Sequence, residues 1–195
     1  MDKDKTTLYH ALIDSQKDST MSNLNDTAHK ILDVAELFTQ TQGFNAFSYK
    51  DIQTEVGVKT SSIHYYFPTK QDLATAMAER YIERFLNALD DIGQKSKTGL
   101  EKLEEAGKKF VDAANAQKLC LCGMLTSDAL SLPQETLNEL RRFYKESERW
   151  IAKSITQAIK EGGIRELHSV EDAAAHFLSK SSSLLPPSRT RQRQR

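Results

Sequence analysis

The sequence predicts an all-α protein. Only eight glycines and four prolines interrupt 195 residues, and within the long stretches between them apolar residues recur three and four positions apart, the spacing of one helix face. A hydrophobic content of 38% and a charged content of 28% are ordinary for a globular chain, and the length suffices to bury a substantial core. No apolar run approaches the length of a membrane span. The opening MDKDKTTLYHALIDSQKDST lacks the apolar centre of a signal peptide. Cys120 and Cys122 stand two residues apart, poor material for a disulfide framework. A reduced, cytoplasmic protein with no membrane partner is the expectation.

Residues 1–22 are polar and weakly patterned and read as a flexible extension, with Met21 an alternative start. The first helix is expected from Thr27 to Thr41, with Ile31, Val34, Ala35 and Phe38 facing inward and Asp33, Glu36 and Gln40 facing out. Gly43 ends it as a left-handed cap. Ser48 caps a second, short helix, with Asp51 three positions on, and Gly57 closes it. A third spans Thr60–Tyr66 and stops at Phe67-Pro68. Thr69, followed by Asp72, caps a fourth that carries Leu73, Met77, Tyr81, Phe85, Leu89 and Ile92 to an end at Gly93.

Four more follow. Leu100 to Ala114 marks one, Met124 to Leu130 a shorter one, and Pro133 suits the first turn of a long helix ended by Gly162-Gly163. Its stripe is Leu137, Leu140, Tyr144, Ile151, Ile155 and Ile159. Ser169 caps the last, from Val170 to about Lys180. Residues 181–195, SSSLLPPSRTRQRQR, read as a disordered basic tail. The pattern divides into a head of short helices over 23–70 and a helical body over 71–180.

The head carries the chemistry. Two short helices joined by a glycine turn form a helix-turn-helix, whose second helix enters a major groove. Ile52, Val56 and Ile63 supply its small core, while Thr60, Ser61, Ser62, His64, Tyr65 and Tyr66 face outward. Hydroxyls and aromatics in that position suit phosphates, sugars and thymine methyls. The charges balance at 27 basic and 27 acidic, and the first arginine is Arg80, so DNA binding rests on a few placed groups and not on a broad cationic field.

Residues 31–77 resemble the TetR (TetR/AcrR) family of bacterial transcriptional regulators. The matching positions are Ala35, Phe38, Gly43, Phe44, Ser48, Ile52, Gly57, Val58, Tyr65, Tyr66, Phe67, Lys70, Asp72 and Leu73. The resemblance implies an N-terminal three-helix head joined by a long fourth helix to a helical ligand and dimerisation domain. It implies a ligand-responsive repressor that binds a palindromic operator in double-stranded DNA as a homodimer and is released by a small-molecule effector. DNA contacts are implied for Thr60, Ser61, Ser62, His64, Tyr65 and Tyr66, with Ser48, Tyr49 and Lys50 beside them and Lys70 on a phosphate. Lys59 stands where the family usually has a serine cap, Thr60 where it often has a basic residue, and His64 where it has a tyrosine. The effector pocket is expected around Phe85, Phe110, Met124, Phe143 and Trp150. Members usually end in two long helices that pair with a partner's copies, and only one is patterned here.

No cofactor or metal is expected, and no catalytic residues. The chain lacks a glycine-rich phosphate loop, a nucleophile elbow and paired metal-ligand spacing. Cys120 and Cys122 admit redox or electrophile sensing, although Leu119, Leu121, Met124 and Leu125 around them favour buried, inert thiols. A helical protein–protein adaptor without DNA binding is the alternative that the neutral charge leaves open.

Overall fold

Ser or Thr followed three residues later by an acid stands at the start of four helices in the computed structural model, which describes residues 26–184. Eight α-helices are described: α1 (Asp26–Gln42), α2 (Tyr49–Val56), α3 (Thr60–Tyr66), α4 (Lys70–Lys95), α5 (Gly99–Asn115), α6 (Leu121–Ser127), α7 (Gln134–Lys160) and α8 (Val170–Ser182). Short 3-10 turns lie at Phe44–Ala46 and Ala129–Ser131. The Asp51 carboxylate accepts from the Ser48 N–H and hydroxyl, both at 2.7 Å. Thr69 and Asp72 cap α4 reciprocally, as Thr98 and Glu101 cap α5, satisfying amides that a helix start leaves without partners. The Ser169 hydroxyl accepts from the Asp172 N–H at 3.0 Å.

The expected extension 1–22 and, from residue 185 on, the expected tail 181–195 lie outside the described residues; the first residues of that tail, Ser181 and Ser182, instead complete the last turn of α8. Within 26–184 the boundaries of α2 and α3 agree with the sequence reading, and four other expectations are corrected. Gly43 has positive φ (103°) with an extended ψ (152°), so it is not a left-handed cap; it turns the chain into the Phe44–Ala46 turn. Gly93 does not end α4, which runs on to Lys95; the Trp150 indole lies beside it, its Nε1 at ordinary contact distance, 3.5 Å, from where a Cβ would stand. The short sixth helix begins at Leu121 and not at Met124, and ends before Leu130, which is fully exposed.

The fourth correction concerns α1. Gln40, placed outward by periodicity, is buried, and Glu36 is largely covered, whereas Leu37 is exposed. The reason is tertiary: α1 is covered on two sides, by α2 and α4 and by α6. The Gln40 carbonyl accepts from the Leu119 N–H at 3.1 Å, and the buried Thr39 hydroxyl donates to the Ala35 carbonyl at 2.8 Å. A helix packed on more than one flank buries more than one stripe.

One apolar cluster runs from Ala28 of α1 to Leu178 of α8, so head and body share a core. α7 packs against α4, α5 and α8 at its centre. Where α5 starts, Gly99 lies so close to α7 that an added Cβ would meet the Ser154 carbonyl and the Ala158 N–H, both backbone groups that cannot swing aside. The Gly99 N–H is also used, donating to Glu161 Oε2 at 2.8 Å. Gly57 is the opposite case: its left-handed φ of 77° closes α2, with open space around it.

These two glycines separate space from backbone strain. Gly99→Ala is expected to destabilise the fold by about 3 kcal/mol, because α5 and α7 must move apart. Gly57→Ala is expected to lower stability by about 1–2 kcal/mol through strain alone. Urea midpoints of the two variants against the parent, at equal m-value, check the order.

Candidate nucleic-acid interface and effector cleft

The head is built around a cation. Lys70, the first residue of α4, donates from Nζ to the Phe44 carbonyl at 2.6 Å and to the Phe47 carbonyl. The same ammonium lies 4.6 Å and 4.4 Å from the centroids of the Phe44 and Phe47 rings. Burial pushes its pKa down, opposed by the charges of Asp128 and Asp51. Phe38 and Phe47 pack at 5.5 Å and Phe44 and Phe47 edge to face at 6.0 Å, closing the apolar side of this clamp. The Lys70 ammonium, which the resemblance would set on a DNA phosphate, is turned inward here and ties α4 to the turn before α2.

Tyr49 is engaged in the same way. Its hydroxyl lies 2.8 Å from the Phe67 carbonyl and 2.6 Å from that of Thr69, the two backbone groups that bracket Pro68. Burial, then the Asp72 charge, raises its pKa. The hydroxyl has one proton to give, and it is spent holding the α3–α4 corner. Ser48 likewise gives its proton to Asp51, and the Asp51 carboxyl is held below the usual range by those bonds. Thr60 donates to Gln53 Oε1, pinning α3 to α2.

What remains forms one face. Ile63 is fully buried and Phe67 nearly so, while Ser61, His64 and Tyr65 on the intervening positions are exposed, Tyr65 at 80%. Lys50 projects from α2 and is exposed. Among the described residues the side chains of Lys50, Ser61, Ser62 and Tyr65 form no hydrogen bond within the chain, so their donors are free. His64 sits edge-on to the Tyr49 ring at 4.8 Å, and its Nδ1 lies 3.0 Å from the Pro68 carbonyl. The tautomer that donates there leaves Nε2 as an acceptor. Tyr66 is half-buried, edge to face with Tyr65 at 5.0 Å and packed against the core.

Comparison with known proteins accords with this geometry. Residues 31–77 match the family profile described as bacterial regulatory proteins, tetR family. A TetR transcriptional regulator from Legionella pneumophila is 32% identical, covers 82% of this chain with 85% of its own, and superposes with a TM-score of 0.71. The chain belongs to the TetR family. A TetR-family regulator from Agrobacterium tumefaciens, 24% identical, has the same fold, with a TM-score of 0.76 over 80% of this chain and 84% of that one. An uncharacterized HTH-type transcriptional regulator of Xanthobacter autotrophicus is 32% identical over 65 residues, 33% of this chain, and the match spans only 32% of that relative's length. Membership decides between the two sequence readings: this TetR-family protein is a transcriptional regulator with a DNA-binding helix-turn-helix, not a helical adaptor without DNA binding. Among the described residues no helix is long and apolar enough to cross a membrane.

The expected effector residues do not converge. Phe85 and Phe110, with ring centroids 5.5 Å apart, line a cleft of about 200 Å³ between α4, α5 and the end of α8. Phe143 packs on Phe85 at 5.1 Å but is wholly buried behind it. Trp150 lines a separate groove with Leu86 and Arg149, and Met124 lies near Gly43. Periodicity identified these as large apolar side chains but missed the charged lining, Arg84, Lys109 and Lys118. Cys120 also lines the cleft. Both thiols are buried; a hydrogen bond from Cys122 lowers Cys120 to about 7 despite its burial, with the Gly123 N–H assisting. Burial pushes Cys122 well up.

Lys70→Ala is expected to lower the thermal midpoint by several degrees, whereas Lys50→Ala shifts it by less than about 2 °C; differential scanning calorimetry distinguishes them. Iodoacetamide is expected to modify Cys120 before Cys122 in the native protein, with a rate that rises through about pH 7 as the thiolate forms. Mass mapping of the modified peptide checks this.

Proposed function

We propose that this TetR-family protein is a repressor that binds a palindromic operator as a homodimer and is released by a small-molecule inducer. The observation that carries the reading is the outward face of α3, where Tyr65 stands 80% exposed with free-donor serines beside it on a helix anchored to the core through the fully buried Ile63. The exposed tyrosine ring and hydroxyl beside free serine hydroxyls offer a partner both an apolar face and hydrogen-bonding groups, and a major groove accepts a helix of this width.

In this reading Ser61, Ser62, His64 and Tyr65 meet base edges and sugars, and Lys50 meets a phosphate. The backbone amides at the starts of α2 and α4 serve where the side chains of Ser48, Tyr49 and Lys70 are internally occupied. Thr60 and Tyr66 orient α3. The head over 23–70 and the body over 71–180 are functional divisions of a continuous core, which suits the transmission of a ligand signal. The dimer places two heads about 34 Å apart, one turn of duplex. The α7–α8 face, where Tyr144, Ala152 and Ala174 line a surface groove, supplies the contact with the second copy. The cytoplasm, where chromosomal DNA lies, is the proposed location.

Selection of duplexes from a random pool by the full chain tests the reading. A palindrome with half-sites one turn apart is the expected product, and recovery of no common sequence would sink it. On the selected duplex Lys50→Ala should reduce the slope of log K against log salt by about one per head, with unchanged sequence preference. Tyr65→Ala should alter preference within the half-site while leaving that slope alone.

A further inference from the structure

The cleft beside α4 sets three cations against a single thiol, that of Cys120, which ionises near neutral pH. Arg84, Lys109 and Lys118 line it, and no carboxylate does among the described residues. In a chain with 27 basic and 27 acidic residues, three cations over an apolar floor are a local segregation and not a reflection of overall charge. The floor is aromatic: Tyr81 and Phe85 stack at 6.4 Å with an interplanar angle of 14°, and Phe110 closes the side. Lys109 and Lys118 have no ion-pair partner among the described residues.

Arg84 does have one, and it belongs to the head. Its Nη2 lies 2.7 Å from each carboxylate oxygen of Glu36 on α1. Arg80, one turn earlier, bridges the same Glu36 at 3.2 Å and Asp33 at 2.8 Å. Arg84 is half exposed while Arg80 is nearly covered, so Arg84 can leave the clamp and Arg80 cannot. The guanidinium that lines the cleft is thus one of two that fasten the DNA-reading head to the body.

We propose that the cleft takes a small amphipathic carboxylate, a single ring or short chain bearing one anionic head, and that this anion competes with Glu36 for Arg84. The proposal rests on the reading of the body as an effector domain and names its ligand class and its route of signalling. A volume of about 200 Å³ lies below the roughly 300–1,000 Å³ of sites for drug-sized ligands, which limits the occupant to about one ring. A carboxylate matches the planar fork of the guanidinium. Once Arg84 turns to the ligand, α1 is held to α4 by Arg80 alone, and the head is freer to change its angle. By linkage the ligand then binds more tightly where that clamp is already open.

Calorimetric titration of the full chain with sodium benzoate and with the neutral isostere benzamide tests this. Benzoate is expected to bind at least tenfold more tightly than benzamide, and Lys109→Gln and Lys118→Gln, both surface changes, are each expected to weaken benzoate severalfold. Glu36→Gln is expected to tighten benzoate severalfold, because Arg84 no longer has a carboxylate to leave; Asp33→Asn, which touches only Arg80, leaves it unchanged. Should the Glu36→Gln variant not fold, Glu36→Asp, which keeps the charge but shortens its reach, replaces it with the same expected direction. Benzamide binding as well as benzoate would refute the anionic class while leaving the effector cleft standing. Binding of neither would remove the cleft as an effector site, and a Glu36 variant that weakens benzoate would refute the competition.

Discussion

The inward-turned ammonium of Lys70 is the contact on which the reading head depends. Two backbone carbonyls and two aromatic faces surround it, and it joins three pieces of chain that have little other reason to meet: the turn after α1, the approach to α2 and the start of α4. Only Ile52 of α2 and Ile63 of α3 are fully buried in the short helices themselves, at roughly 1.5–3 kcal/mol apiece. Neither helix is long enough to be stable alone. Their angle is therefore set by tethers: Lys70 at one end, the Tyr49 hydroxyl at the α3–α4 corner, and the Thr60–Gln53 bond between the two. These polar groups serve the fold first.

The head is also fastened to the body at three points on one flank. Glu36 is gripped from α4, and the Gln40 carbonyl accepts from Leu119 just before α6. Asp128 just after α6 accepts from the Phe44 N–H at 3.2 Å and from the Asn45 amide at 2.9 Å. α6 therefore touches the head at both ends while its own start, Cys120, lines the cleft. A ligand that shifts α6 or recruits Arg84 acts on contacts that hold α1, with no need for a longer path. Packed interiors switch between discrete arrangements and do not bend continuously, which makes such a short chain of contacts an effective lever.

Much of the architecture was legible in local chemistry. Ser48 with Asp51, Thr69 with Asp72, and Gly57 mark helix ends by groups that act within a turn, and those ends are where they were expected. Several of the differences involve a distant partner. Gly93 looks like a helix stop until Trp150 is placed against it. Glu36 and Gln40 look like surface residues until α4 and α6 cover them, and nothing local to Lys70 says that its ammonium turns toward Phe44 and Phe47. Phe143 and Trp150 look like cleft residues because size and periodicity cannot say on which side of α7 the empty space lies.

By itself the amino-acid order determined the helix count, the helix-turn-helix and the family, because capping, turn chemistry and apolar spacing are interactions of near neighbours. The tertiary structure alone decided which polar groups remain free for DNA and which cations share a cleft with the head's clamp. Those properties follow from groups far apart in sequence competing for the same space and the same protons, and no local pattern carries that information.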